Sequence, residues 1–572
     1  MPLSNYNFFR FEETHRMNHL HTLDYAVFLF YFLVVVGYGI WIYQRKKKAT
    51  ADSKDYFLAE GSLTWWAIGA SLIASNISAE QFIGMSGAGF KLGLAVASYE
   101  WMAAATLIIV AIFFMPVYLK NKIYTMPQFL STRYNETVAM IMAVFWLLLY
   151  VVVNLTSILF LGALAISSIS GLSLSVCMIG LAVFAVVITL GGMKVIGFTD
   201  VIQVFFLVLG GLVTTYLALN LVAEKFGTTG VTNGFSLLTQ NASDHFHMIL
   251  QRDNPNYLDL PGLTVLLGGM WIANFSYWGC NQYITQRALG ADLPTARNGI
   301  LFAAFLKLLM PVIVVLPGIA AFVLYQQGSF QTEMLNDAGA VAGDKAYPVL
   351  LNLLPAGLKG LSFAALTAAI VASLAGKTNS IATIFTLDIY KKLLNKNANE
   401  AKQVQVGKMV VVVAMLIAVV IAPFLGIDKG GLNYIQEYTG FVSPGIFAMF
   451  FLGFFWKKTT SNAALIATVG GFLFSVLLKF LPGMMDLSSL ASIGFSKANS
   501  NGVFEIPFLD RMGIVFALCV IGMFIISSVE NPRGEKSHAL EVDSSLFKVS
   551  NAFLVGSLII CGLLVALYAR FW

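Results

Sequence analysis

The sequence predicts an all-α, polytopic membrane protein with about fourteen transmembrane helices. Three observations carry that expectation. Of 572 residues, 58% are hydrophobic and only 11% are charged, and the mean hydropathy is +0.78, outside the range of soluble domains. The apolar residues are grouped into runs of roughly 20, the length that crosses the hydrocarbon core as a helix. Lys and Arg are concentrated in alternate connections between those runs, as the positive-inside rule requires of a chain that crosses repeatedly.

Taken in order, residues 1–23 form a polar and aromatic tail without a short apolar core or a small-residue cleavage site, so the run at 24–43 is a retained flanking helix. Met17 is an alternative start within that tail. Runs follow at 63–88, 93–119, 137–167, 172–192 and 199–222, then at 260–285, 299–325, 357–388, 406–427 and 438–456, and finally at 461–482, 511–530 and 549–572. The segments near 137, 357 and 438 are the ones expected to be kinked or subdivided. Counted from the second run, 63–222 and 260–456 each hold five helices, with 461–572 as C-terminal flanking helices.

One set of connections includes RKKK at 45, Lys194, Arg287 with Arg297, and the cluster from Lys391 to Lys408. It holds about 21 basic residues against about 8 in the other set, so it faces the cytoplasm and both termini face outward. The expected location is the cell membrane, in a bacterium the inner membrane. The connections 223–259, 326–356 and 483–510 read as loops with short surface helices, which leaves no globular signalling module. The cysteines Cys177, Cys280, Cys519 and Cys561 lie in apolar runs without metal-ligand spacing, as small apolar residues do. His15, His19, His21, His245, His247 and His538 all fall outside the spans, which argues against an intramembrane enzyme built on a base or a metal cluster. The net charge of +6 reflects the cytoplasmic loops and points to no nucleic acid.

Two spans are not ordinary. The first, 63–88, places Ser75, Asn76, Ser78, Glu80 and Gln81 together at bilayer depth, and the second, at 268–283, reads GGMWIANFSYWGCNQY. A spanning helix is interrupted only where protein or a watery cavity re-satisfies the backbone, so interruptions point at sites. At equivalent places in two five-helix halves, they point to an inverted-repeat transporter with its ligands at the midplane. Gly and Ser at such places also serve plain helix packing. The ionisable residues at depth are Glu80, Glu100, Asp200, Lys307, Lys377 and Glu437, with Lys479 nearer an interface. Glu100 and Lys307 can neutralise one another as a structural pair. With the amides of Gln81, Asn274 and Gln436 and the faces of Tyr99, Tyr277 and Trp278, they also compose a site suited to a sugar, whose hydroxyls need directed bonds and whose C–H face stacks on rings.

The stretches DYFLAEGSLTWWAIGASLIASNISAEQFIGMSG at 55, ASYEWM at 97, FTDVIQVFFLVLGG at 198, ANFSYWGCNQY at 273, FAAFLK at 302, TIFTLDIYKK at 383 and YIQEYTGFVSPG at 434 resemble the solute:sodium symporter family, in its sodium/glucose and sodium/galactose branch, from about residue 24 to 572. The resemblance implies a LeuT-type five-plus-five inverted repeat with flanking helices, and a secondary symporter that couples inward sodium flux to hexose import. The alternatives are a sodium or proton symporter for another small solute, such as an amino acid, carboxylate or cyclitol, and a non-transporting sensor.

The resemblance also implies residue roles. Sugar hydroxyls would be held by Gln81, Glu100, Asn274, Lys307 and Gln436, with Tyr277 stacking as the inner gate beside Trp278, and Met85 and Tyr99 on the outer side. Sodium, the coupling ion and the only cofactor-like species implied, would sit on the carbonyls of Ala74, Ile77 and Ala369 and the hydroxyl of Ser373. Asp200 would lie on the ion's exit route. Three positions depart from the branch: Ala103 stands in place of a pocket serine, Leu432 in place of an aromatic lid, and Ala372 in place of one of two sodium-site hydroxyls. Lys377 is not supplied by the resemblance. It lies one helical turn beyond Ser373, so either it snorkels to the inner vestibule or pairs with Asp200, or its ammonium approaches the sodium position.

Overall fold

The computed structural model describes residues 20–45, 53–59, 63–336, 339–424, 431–534 and 540–572, with the side chains of 53–55 and 431–435 outside the description. Met17, His15, His19, His538, most of the 1–23 tail, the lysines of RKKK and the Leu432 side chain lie outside the described residues. The described chain is helical almost throughout. Its β-structure is a two-residue antiparallel pairing of Lys497–Ala498 with Phe504–Glu505 and one isolated bridge.

By length and apolarity, eleven helices among the described residues can cross a membrane. The difference from about fourteen has a physical origin. Leu174–Thr189 is apolar but has only 16 residues. The expected span 63–88 is broken after Trp65–Asn76, and its second part runs on into Glu80–Lys120. The expected span 260–285 is cut into Leu263–Leu267, Gly269–Gly279 and Gln282–Leu289. Of the three segments expected to be irregular, those near 137 and 357 carry π-helical turns at Leu149–Leu155 and Phe385–Leu394, while the one near 438 divides between Gly431–Gly440 and Ser443–Phe455.

Burial sorts the helices into centre and rim. Within its most apolar stretch, Leu358–Leu394 is 89% buried, whereas Thr22–Arg45 and Asn551–Arg570 are 22% buried and present Leu29, Phe30, Leu33, Leu558 and Ile559 outward. An exterior of this kind is matched to lipid, and the helices that carry polar residues are drawn inside. Cys177, Cys280 and Cys519 are buried as expected, whereas Cys561 lies on the exposed face of Asn551–Arg570; all four are free.

One long helix sets the depth of the site. Leu293–Gln326 lies against both parts of the first broken span. At one end a Cβ on Gly69 would stand 2.6 Å from the Gly299 carbonyl, and at the other a Cβ on Gly318 would stand 2.0 Å from that of Ser86. Only glycine permits such close crossings. Lys307 lies between these two crossings, about 12 Å along the helix from Gly299 and about 16 Å from Gly318. Its side chain is thereby delivered to the level of the break.

Candidate functional site

The first break is stitched by side chains. Asn76 ends the helix Trp65–Asn76, and Ile77 is extended at φ −81°, ψ 111°. In an unbroken helix the Ser78 amide would bond the Ala74 carbonyl; here it donates to Gln81 Oε1 at 3.0 Å, and the Ser78 hydroxyl donates to the same oxygen at 3.2 Å. The Gln81 amide bonds the Ser78 carbonyl rather than that of Ile77. The carbonyls of Ala74 and Ile77 are thus released from the helical ladder together, and released carbonyls are ligands for a hard cation.

The second break lies at Cys280 and Asn281, between Gly269–Gly279 and Gln282–Leu289. The Tyr118 hydroxyl donates to the Gly279 carbonyl at 2.6 Å, and Asn281 Oδ1 accepts the Tyr283 amide at 3.1 Å together with the Tyr150 hydroxyl. The backbone groups freed by the break are therefore satisfied by protein, as hydrocarbon surroundings demand.

A cavity opens where the two breaks face each other. Gln81, Tyr99, Glu100, Asn274, Tyr277, Trp278, Lys307 and Gln436 all line it, as does Ala103. Met85 does not; it is packed into the core, with 1% of its surface exposed. Lys307 and Glu100 form an ion pair, and Lys307 also donates to Asn76 Oδ1 while its ammonium stands 5.0 Å from the Trp278 ring centroid. Asn76 Nδ2 in turn donates to the Tyr277 hydroxyl at 3.1 Å. An ammonium has three N–H groups, and these two acceptors leave one to face the cavity. The Asn274 side-chain amide donates to the Met270 carbonyl at 3.0 Å, which fixes its rotamer within the helix.

Ser373 is brought to the first break. Its hydroxyl donates to the Ser75 carbonyl at 2.9 Å and lies 3.1 Å from the Tyr283 hydroxyl. Ala369 is one turn earlier on the same helix, Leu358–Ile384, and is buried. Asp200 is fully buried with Ser71, whose hydroxyl donates to it at 2.5 Å, and Arg287 reaches the same serine at 2.9 Å.

Lys377 departs from the expectation of a snorkelling or Asp200-paired side chain. It is 5% exposed, lines the central cavity with Glu80, and lies with its ammonium 4.9 Å from the Tyr283 ring centroid. Arg287 also departs. Grouped with the loop cations by its sequence position, it is 1% exposed within Gln282–Leu289. Glu437 is not part of the cavity: it binds Lys479 and Arg511 at 2.5 Å each and ties together three helices.

Sequence reasoning missed Asn76 and Tyr283. Asn76 was visible as an amide inside an apolar run, but nothing marked it as the partner of Lys307. Tyr283 carried no such signal, since an aromatic next to a polar pair is common in spans.

Residues 56–471 match the sequence model of the sodium:solute symporter family. The chain is 47% identical over 559 residues to a sodium/glucose cotransporter of Vibrio parahaemolyticus, covering 96% of this chain and 98% of that protein. It is 33% identical over 479 residues to a sodium/myo-inositol cotransporter 2 of Homo sapiens, covering 79% and 69% respectively. Among solved structures it is similar to a Na+-coupled sialic acid symporter in a substrate-bound outward-open state, with a TM-score of 0.73 at 22% identity over 89% of this chain and 98% of that one. It also resembles a nucleobase-cation-symport-1 family transporter in a closed conformation, with a TM-score of 0.50 at 14% identity over 89% and 99%. At these identities the two structures establish the shared fold.

Proposed function

The chain belongs to the sodium:solute symporter family, and from that premise we propose that its solute is a hexose, glucose- or galactose-like, imported by alternating access. It is a multi-pass membrane transporter and not an enzyme, and sodium is its coupling ion. The observation that carries the hexose reading is the shared break: the same interruption that releases the Ala74 and Ile77 carbonyls also turns Gln81 and Asn76 into a cavity of amides, one ion pair and aromatic faces. Neutral donors and acceptors beside flat apolar rings match a polyhydroxylated ring. The name of the Vibrio parahaemolyticus relative supports the same class of solute.

In this reading Gln81, Asn274, Gln436 and the free N–H of Lys307 hold hydroxyls, Glu100 positions Lys307, and Tyr277, Trp278 and Tyr99 supply stacking faces. Sodium sits on the carbonyls of Ala74, Ile77 and Ala369 with the Ser373 hydroxyl, and leaves past Asp200. The two repeats are 63–222 and 260–456, placed in a bacterial inner membrane with both termini outside, as the distribution of Lys and Arg supports.

The test is uptake of labelled glucose, galactose and myo-inositol into proteoliposomes with and without an inward sodium gradient. Sodium-driven accumulation of a hexose above myo-inositol is the expected result. Accumulation of myo-inositol alone would establish a cyclitol carrier, and accumulation of neither would remove the polyol assignment.

A further inference from the structure

Four charged side chains line the central cavity: Glu80, Glu100, Lys307 and Lys377. Two of them are spent on each other, since Lys307 binds Glu100 and Asn76. The other two face one another as opposite charges without a close ion pair among the described residues. Glu80 Oε1 is buried without a hydrogen-bond partner, and the contact that locates the Lys377 ammonium is the ring of Tyr283 at 4.9 Å. A neutral polyol does not by itself require this second pair of opposite charges.

Tyr283 connects that ammonium to the ion ligands. Its hydroxyl is 3.1 Å from Ser373 Oγ, which donates to the Ser75 carbonyl at 2.9 Å. One aromatic ring therefore separates the Lys377 charge from the serine proposed to bind sodium. Ser373 and Lys377 are also four residues apart on one helix, a rise of about 6 Å on a common face. A cation at each of these neighbouring positions inside a protein would repel strongly enough to change an ion's affinity by about tenfold or more, unless a carboxylate compensates. Glu80 is the available carboxylate, placed just past the break that carries Ala74 and Ile77.

We propose that Lys377 and Glu80 form the electrostatic link between the sodium site and the solute cavity. The ammonium lies over the ring of Tyr283, whose hydroxyl meets Ser373. Sodium arriving at Ser373 drives it toward Glu80 and the cavity, where its N–H groups meet a solute hydroxyl. Lys377 is then a positioning residue for coupling: it lowers the affinity for sodium alone and returns part of that loss when the solute binds. Reciprocity requires that sodium raise solute affinity by the same factor. The inference rests on the sodium ligands proposed above.

The experiment is a sodium titration of the purified, solute-free protein, followed by calorimetry or intrinsic tryptophan fluorescence, with ionic strength held constant by choline chloride. Lys377→Met removes the repulsion and should tighten sodium binding about tenfold. Glu80→Gln leaves the ammonium uncompensated and should weaken it by a similar factor. The double variant should return close to wild type, and Lys377→Arg should keep wild-type affinity. In Lys377→Met, sodium should also raise solute affinity less than it does in wild type. Ser373→Ala is the control for the ion ligands. If it leaves sodium affinity unchanged, the ligand assignment fails and the inference fails with it. If Ser373→Ala weakens sodium but Lys377→Met and Glu80→Gln move it in the same direction or not at all, only the link is overturned. Should Lys377→Met not fold, Glu80→Gln decides: weakened sodium binding with wild-type affinity in Lys377→Arg supports the link, and unchanged or tightened binding in Glu80→Gln overturns it.

Discussion

Replacing Lys307 by Met isolates the buried pair at the centre of the molecule. Lys307 is 1% exposed and Glu100 4% at their side chains, so removing the ammonium strands a carboxylate that water cannot reach freely. Breaking such a pair from one side costs about 3–5 kcal/mol, and loss of the contact with the Trp278 ring adds roughly 0.5–2 kcal/mol. Asn76 Oδ1 loses its donor as well. At about 0.8 °C per kcal/mol for a chain of this size, the apparent Tm in detergent should fall by roughly 3–6 °C. Adding Glu100→Gln removes the stranded charge, so the double variant should recover about half of the loss or more. Solute affinity should be lost in both, because the N–H facing the cavity is absent from each. A double variant no more stable than Lys307→Met would refute the argument that the pair's energy lies in mutual charge compensation.

Ser373→Ala should weaken the apparent sodium affinity by roughly tenfold while leaving the maximal rate at saturating sodium nearly intact, measured by uptake at varied sodium; an unchanged sodium dependence would remove Ser373 from the ion site. Gly376→Ala tests the packing behind that site: the added Cβ would stand 2.2 Å from Arg287 Nη2 and 3.1 Å from Ser75 Oγ. It should therefore impair sodium binding, and normal sodium binding would show that Arg287 can move aside. Tyr277→Phe should be mild, costing about 0.5–1.5 kcal/mol in the lost bond from Asn76, whereas Tyr277→Ala should abolish most uptake by removing the ring face. A Phe variant as defective as the Ala variant would place the function in the hydroxyl.

Both breaks were legible in the sequence because small and amide residues inside an apolar run are too costly to be incidental, and the structure interrupts the helices at Ile77 and at Cys280. Glu100 and Lys307 were legible for the same reason. What the sequence does not carry is which buried partner each residue meets. Asn76 binds Lys307 across 231 positions of chain, and Tyr283 reaches Ser373 across 90. Arg287 is instructive, because six residues past a break a cation looks like a loop anchor until tertiary packing buries it against Ser71. Runs of apolar sequence and unbroken helices give different counts where a span is interrupted, since the run at 260–285 is cut into helices of 5, 11 and 8 residues.

The arrangement around Gln81 leads to a last prediction. Its Oε1 accepts both the amide and the hydroxyl of Ser78, so the side chain proposed to hold a sugar hydroxyl also staples the break that presents the Ala74 and Ile77 carbonyls. Each of those bonds is worth about 1 kcal/mol net, and a tenfold coupling between ligands needs only about 1.4 kcal/mol. Rearranging one or two bonds at this point therefore suffices to make the ligands depend on each other. Asn274 differs, because its amide is fixed within its own helix by the Met270 carbonyl. Gln81→Ala should accordingly weaken sodium binding measured without solute, by roughly threefold to tenfold, in addition to weakening the solute; Asn274→Ala should weaken the solute alone. The measurement is the same sodium titration of purified protein in the two variants. Sodium affinities equal to wild type in both would mean that the break is held by its backbone, and that coupling passes elsewhere.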